Sequence, residues 1–144
     1  MKGKRSHGAT IIELAIVLSV ASALCAIALP RAAGFIDSIE VRGAVTEIES
    51  LFSLARHAAI ARGSQSVVDI DEVAGVFSVR VGTEVIRSRD VGAAHGVTVS
   101  SGRTSITYSP IGVSYGAANF SLSVARGNAV DTVVISRLGR VRHQ

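Results

Sequence analysis

Hydrophobic positions follow three successive patterns along the chain. From Ala9 to Leu29 the residues are almost continuously apolar, and the one charge among them is Glu13. As a helix this stretch spans roughly 30 Å, the thickness of a bilayer core. The pattern therefore predicts a membrane-inserted helix. Ahead of it, Met1–Gly8 is polar and basic through Lys2, Lys4 and Arg5, which places that end in the cytoplasm. An ordinary secretory signal cut after Ala26-Ile27-Ala28 is the competing reading. Glu13 inside the apolar region and Pro30 just past that cut argue against it.

The second pattern has a helical period. Val41, Val45, Ile48, Phe52, Ala55 and Ala59 recur at spacings of 4, 3, 4, 3 and 4. That is one apolar stripe on an amphipathic helix over residues 30–63. Glu40, Glu47, Glu49 and Arg56 fall off the stripe and are expected to face water. Gly63 reads as the residue that ends the helix after Arg62. Pro30 joins the two halves, removes a backbone donor and predicts a kink. A continuous helix of this length is about 75–80 Å long. A chain of this size cannot cover it, so its first half must be buried in lipid or in other subunits.

From residue 64 to 144 the period changes to 2. Ser66–Ile70, Val76–Val81, Glu84–Arg87, Val97–Ser101, Thr104–Tyr108, Phe120–Ala125 and Asp131–Ser136 read as strands between Gly-rich turns. Seven or so short strands predict a small antiparallel sheet domain whose core the Val41–Ala59 stripe covers. The fold class is α+β: a long N-terminal helix packed on a β-rich head.

Composition narrows the chemistry. Apolar residues make up 48% and charged residues 18%, which excludes wholesale disorder. A single Cys and four scattered His leave no disulfide framework and no zinc spacing. Without Trp, and with two Tyr and four Phe, base stacking over a broad surface is excluded. No catalytic motif is present, and Asp69, Asp71 and Glu72 read as a solvated turn. His57 and His95, the latter in a Gly-rich loop, have no ligand-spaced partner, and Cys25 reads as inert packing. No enzyme activity, metal or cofactor is expected.

Two constellations remain. Glu13 is a carboxylate in a membrane helix, worth roughly 2.5–3.5 kcal/mol of insertion cost near the centre, and such groups find partners. Arg137, Arg140 and Arg142 form a basic tail in which Arg140 and Arg142 share a face if it is extended. From Ser101 onward there are five Arg and one Asp. Removing Lys2, Lys4 and Arg5 would lower the net charge from +4 to +1, so the basicity is local. From the residues alone, arginines kept for solubility explain this tail as well as a ligand does.

The start of the chain resembles a class III prepilin signal. It has a basic leader ending in Gly8, then Ala9-Thr10-Ile11-Ile12-Glu13, then an apolar run with Pro30 at its end. Phe is usual in that family where Ala9 stands here. The stretches Leu54–Gly63 and Val133–Arg142 are similar to GspH/FimT-type pseudopilins and minor pilins. The resemblance implies a leader of residues 1–8 cut between Gly8 and Ala9 by a prepilin peptidase, N-methylation of Ala9, and a helix over 9–29 that moves from membrane to filament core. It implies that Glu13 pairs with the N-terminal amine of a neighbouring subunit. Gly139-Arg140-Val141-Arg142 matches a GRxR tail tied to DNA binding in FimT-like minor pilins. The implied protein is a noncatalytic, pilin-like subunit of a type IV pilus or a type II secretion filament. It sits in the bacterial inner membrane with its head in the periplasm, beside other pilins, and leans toward weak double-stranded DNA binding. A GspH-like secretion pseudopilin and a membrane-anchored module that never polymerises are the alternatives.

Overall fold

A computed structural model describes residues 10–115, 120–136 and 141–143, the last three by their backbone. Its first element is α1 (Ile11–Arg62), which continues through Pro30. The chain divides into two compact units, Met1–Phe35 and Ile36–Gln144. In the first, α1 exposes Ile11, Leu14, Val17, Leu18, Leu24 and Leu29. This part of α1 is long and apolar enough to cross a membrane, and none of its most apolar stretch is buried.

In the second unit α1 buries Val41, Ala44, Val45, Ile48, Leu51, Phe52, Ala55 and Ala59. Every residue of the expected stripe is there. Ala44 and Leu51 widen it to three or four positions per two turns, the width a helix needs to cover a sheet. The helix ends where Gly63 adopts φ +57°. There Ser64 N–H donates to Ala59 O at 3.2 Å and Gly63 N–H to Ile60 O at 3.3 Å, which satisfies the last carbonyls.

Two antiparallel sheets follow, where one was expected. The first contains β1 (Ser66–Asp71), β2 (Val76–Val81), β3 (Glu84–Asp90), β5 (Ser105–Tyr108) and β6 (Ser114–Tyr115), in the order β3-β2-β1-β5-β6. The second contains β4 (Thr98–Ser101), β7 (Phe120–Arg126), β8 (Ala129–Ile135) and β9 (Val141–His143), in the order β4-β7-β8-β9. Register follows the alternation of side chains. Val68 stands opposite Val79 and Ile70 opposite Phe77. Leu122 stands opposite Val133 and Phe120 opposite Ile135. All eight are buried and join the α1 stripe in one hydrophobic cluster. A one-residue slip in either pairing would turn them to water.

The short helix α2 (Val91–His95) was not expected. The Asp90 carboxylate caps it by accepting from Ala93 N–H at 2.8 Å, and Gly96 ends it in the left-handed region. It carries the chain from β3 to β4 and so from one sheet to the other. Its seat is the β1–β2 turn, where Val91 and Gly92 N–H both donate to Gly75 O at 3.1 Å. Gly75 has φ +68°, and a Cβ on it would lie 2.7 Å from the Gly92 Cα. Only two glycines allow these backbones to meet so closely.

Burial isolates one polar pair. Tyr108 is fully buried, and neither its hydroxyl nor Arg56 Nε has a hydrogen-bond partner among the described residues. Arg56 was expected to face water. Its Nε is instead covered, with Gly112 of the β5–β6 turn packed beside it. Burial pushes the Tyr108 phenol up to about 12, against a smaller opposing pull from Arg56. An unfolded chain ionises its tyrosines near pH 10. Folding is therefore untouched by this ionisation below pH 10 and loses stability as pH rises through 10 to 12, about 3 kcal/mol in all. Tyr108→Phe should remove that alkaline loss. At pH 7 it should raise stability by about 1 kcal/mol, because a hydroxyl without a partner no longer has to be desolvated. Urea unfolding of parent and variant at pH 7 and pH 11 checks both signs, and a less stable variant at pH 7 would mean that the hydroxyl is bonded.

Candidate functional site

The first candidate lies at the start of α1. Gly8 and Ala9 lie outside the described residues. Thr10 is the residue before the helix, and Glu13 stands in its first turn. Thr10 N–H donates to Glu13 Oε2 at 3.0 Å, and the Thr10 hydroxyl reaches the same oxygen at 3.3 Å. In return Glu13 N–H donates to Thr10 Oγ1 at 3.2 Å. This is a capping box, two helix-end donors satisfied by two side chains. Thr10-x-x-Glu13 is its sequence signature, yet the sequence reading assigned Glu13 a partner only in another subunit. Inside one chain the carboxylate is already held. Among the described residues both bonds fall on Oε2, and Oε1 keeps its lone pairs for a further donor. A few residues on, Ser19 Oγ donates to Ala15 O at 2.8 Å, so this hydroxyl is also satisfied within the helix. Pro30 lies farther along the same helix.

The second candidate is the basic tail. Arg137, Gly139 and Arg140 lie outside the described residues. Arg142 lies in β9, opposite Val134 of β8, and β9 is the edge of the second sheet. The chain thus returns as a strand there. The local excess of arginine is smaller than the sequence count suggests. Arg126 is committed to Asp37 of α1, with Nε 3.0 Å from Oδ1. The other sheet carries Arg80 on β2, paired with Asp69, and Arg87 and Arg89 exposed on the edge strand β3, whose pairing with β2 shifts between Val79 and Arg80. Charged residues and an irregularity of this kind protect an open edge from unwanted pairing.

The third cluster was missed. His95 is the last residue of α2, not part of a loop, and its ring packs over Gly43 of α1. Its Nδ1 lies 2.9 Å from Glu40 Oε2 and its Nε2 lies 3.2 Å from Glu47 Oε2. Glu47 also meets Arg89 Nε at 3.2 Å, and Arg126 Nη1 donates to the His95 carbonyl. Glu40 and Glu47 are therefore half-buried partners of a seam rather than water-facing groups. The available signal was that Asp37, Glu40 and Glu47 share one face of α1, three acids that need cations. Among the described residues no group of three or more His, Cys, Asp or Glu side chains gathers to hold a metal ion. A groove of about 760 Å³ runs between α1 and β8, with Val41, Arg42, Val45, Val130 and Asp131 among its lining.

With this geometry described, comparison with known proteins adds the family. Residues 44–139, two-thirds of the chain, match the family model of the type II transport protein GspH. No curated protein sequence matches the chain. Among solved structures it is similar to the type IV minor pilin FimU of Pseudomonas aeruginosa, at a TM-score of 0.64 and 16% identity. That similarity covers 73% of this chain and 88% of that one. It is also similar to the minor pseudopilin EpsH from the type 2 secretion system of Vibrio cholerae, at a TM-score of 0.57 and 14% identity, over 73% of this chain and 96% of that one. At these identities the two structures speak for the fold.

Proposed function

Because the chain belongs to the GspH family of type II transport proteins, we propose that it is a noncatalytic minor pilin or pseudopilin, a subunit of a type IV pilus or a type II secretion filament. The observation that carries this reading is α1 itself. Its first part is apolar, exposed and opened by a capped carboxylate, while its last part is the core of a β-rich head. Stored in the inner membrane with the head in the periplasm, such a helix leaves the bilayer only for an equally apolar environment, a bundle of other pilin helices. Processing by a prepilin peptidase between Gly8 and Ala9 precedes assembly, with methylation of Ala9. Intact mass of membrane-extracted protein should show a chain that begins at Ala9, with or without one methyl group. A chain beginning at Leu29 would mean an ordinary signal peptide and would end this reading.

A finer assignment concerns DNA. Arg142 lies in the edge strand β9, and with Arg137 and Arg140, which precede it in sequence, it would contact phosphates, giving weak binding of double-stranded DNA without strong sequence preference. Three neutralised phosphates imply a log–log salt slope of roughly −2.7 and binding in about the micromolar range or weaker. Arg140→Ala combined with Arg142→Ala should weaken binding and flatten that slope with little change in melting temperature. Equal binding by parent and variant would remove the DNA role and favour the secretion pseudopilin.

A further inference from the structure

The seam at His95 has a property that none of its salt bridges has alone. Both ring nitrogens face carboxylate oxygens, at 2.9 Å and 3.2 Å. A neutral imidazole carries one N–H, so it can donate to one of them and must turn a lone pair toward the other. Only the imidazolium donates to both. Counting charges leads to the same requirement. α1 contributes Asp37, Glu40 and Glu47, β3 contributes Arg89 and β7 contributes Arg126, so the three acids are balanced when His95 is the third cation. Asp90, at the other end of α2, is engaged with the Ala93 N–H. The ring cannot simply slide aside toward α1. It rests on Gly43, where even a Cβ would come within 3.0 Å of its Cε1.

We propose that His95 is a proton-operated clasp between α2 and α1. With the ring charged, α2 is held down at both nitrogens and at the His95 carbonyl through Arg126. When the ring gives up one proton to solvent, one carboxylate contact becomes a repulsion between lone pairs, and α2 loosens from α1. Raising the pH therefore loosens the clasp, because loss of the ring proton turns one of the two donated contacts into a repulsion. Because α2 carries the chain from β3 to β4, the loosening falls on the first passage between the two sheets.

The test is amide hydrogen exchange of the full chain in detergent micelles, corrected for the intrinsic effect of pH. Protection of the amides of Ala93 and Val97, which are bonded to Asp90 Oδ1 and Gly92 O, should fall about tenfold from pH 5.5 to pH 8. Protection of Val68 and Val79 in the β1–β2 pair should not change. His95→Gln should make α2 protection independent of pH, whereas His57→Gln should leave the pH response intact. Nitrogen-15 chemical shifts of the His95 ring supply a measurement that needs no variant. Both nitrogens should be protonated wherever α2 is protected. Protection that stays level across the range, or a neutral ring under a fully protected α2, would overturn the clasp.

Discussion

Phe52→Ala should cost the head about 3–5 kcal/mol, the usual penalty for removing a large buried aromatic side chain. Phe52 is fully buried in the middle of the α1 stripe and belongs to the cluster that unites both sheets. Whole domains of this size are stable by only about 5–15 kcal/mol, so this one change removes a large share of the total. Urea unfolding of the full chain in micelles should shift its midpoint sharply, and proteolysis should begin within the β-rich half. Leu54→Ala, two residues away and 38% exposed, should change stability by less than about 1 kcal/mol. If the two variants cost the same, α1 does not form the core of the head.

The next-largest effect is expected in assembly rather than folding. Glu13→Ala makes α1 more apolar, so insertion into the membrane should hold or improve. The variant also loses the capping box, worth about 0.5–2 kcal/mol at a helix start. Two companions separate these roles. Thr10→Ala removes the cap's hydroxyl and keeps the carboxylate, and Glu13→Gln keeps an acceptor for the cap and removes the charge. If Glu13 receives a neighbour's N-terminal amine, both Glu13 variants should fall at least roughly tenfold in sheared filaments, about what losing 1.4 kcal/mol of a charge-assisted bond gives. Thr10→Ala should stay near parental levels. Recovery of Glu13→Gln at parental levels would assign the residue to capping alone.

These outcomes show where sequence patterns suffice and where they do not. The stripe from Val41 to Ala59 was legible because a helix of period 3.6 must repeat its buried face, and β2 was legible because Phe77, Val79 and Val81 alternate with polar neighbours. β3 defeated the same logic beyond Arg87. As an edge strand it buries little, so nothing selects alternation. α2 is too short for any period, although Asp90 and Gly96 are a readable cap and stop. The first passage between the two sheets runs through that short helix and was missed with it. The His95 seam had no local signature, because its partners lie 48 and 55 residues away in sequence. The capping box did have one. Glu13 drew attention as a charge in an apolar run, and Thr10, which belongs to the same motif, was passed over.

The contact between Gly75 and Gly92 limits how this sequence can drift. Elsewhere in the head a clash caused by a larger residue can be relieved by shrinking its neighbour. Here neither residue has a side chain to shrink. A new Cβ on Gly75 meets backbone on Gly92, and one on Gly92 lies 3.0 Å from the Ala74 carbonyl oxygen. No second-site change at Gly92 can rescue a side chain on Gly75, so that position has no neutral path between sequences. Lineages that lose Gly75 would have to rebuild the β1–β2 turn and the α2 passage between the sheets together.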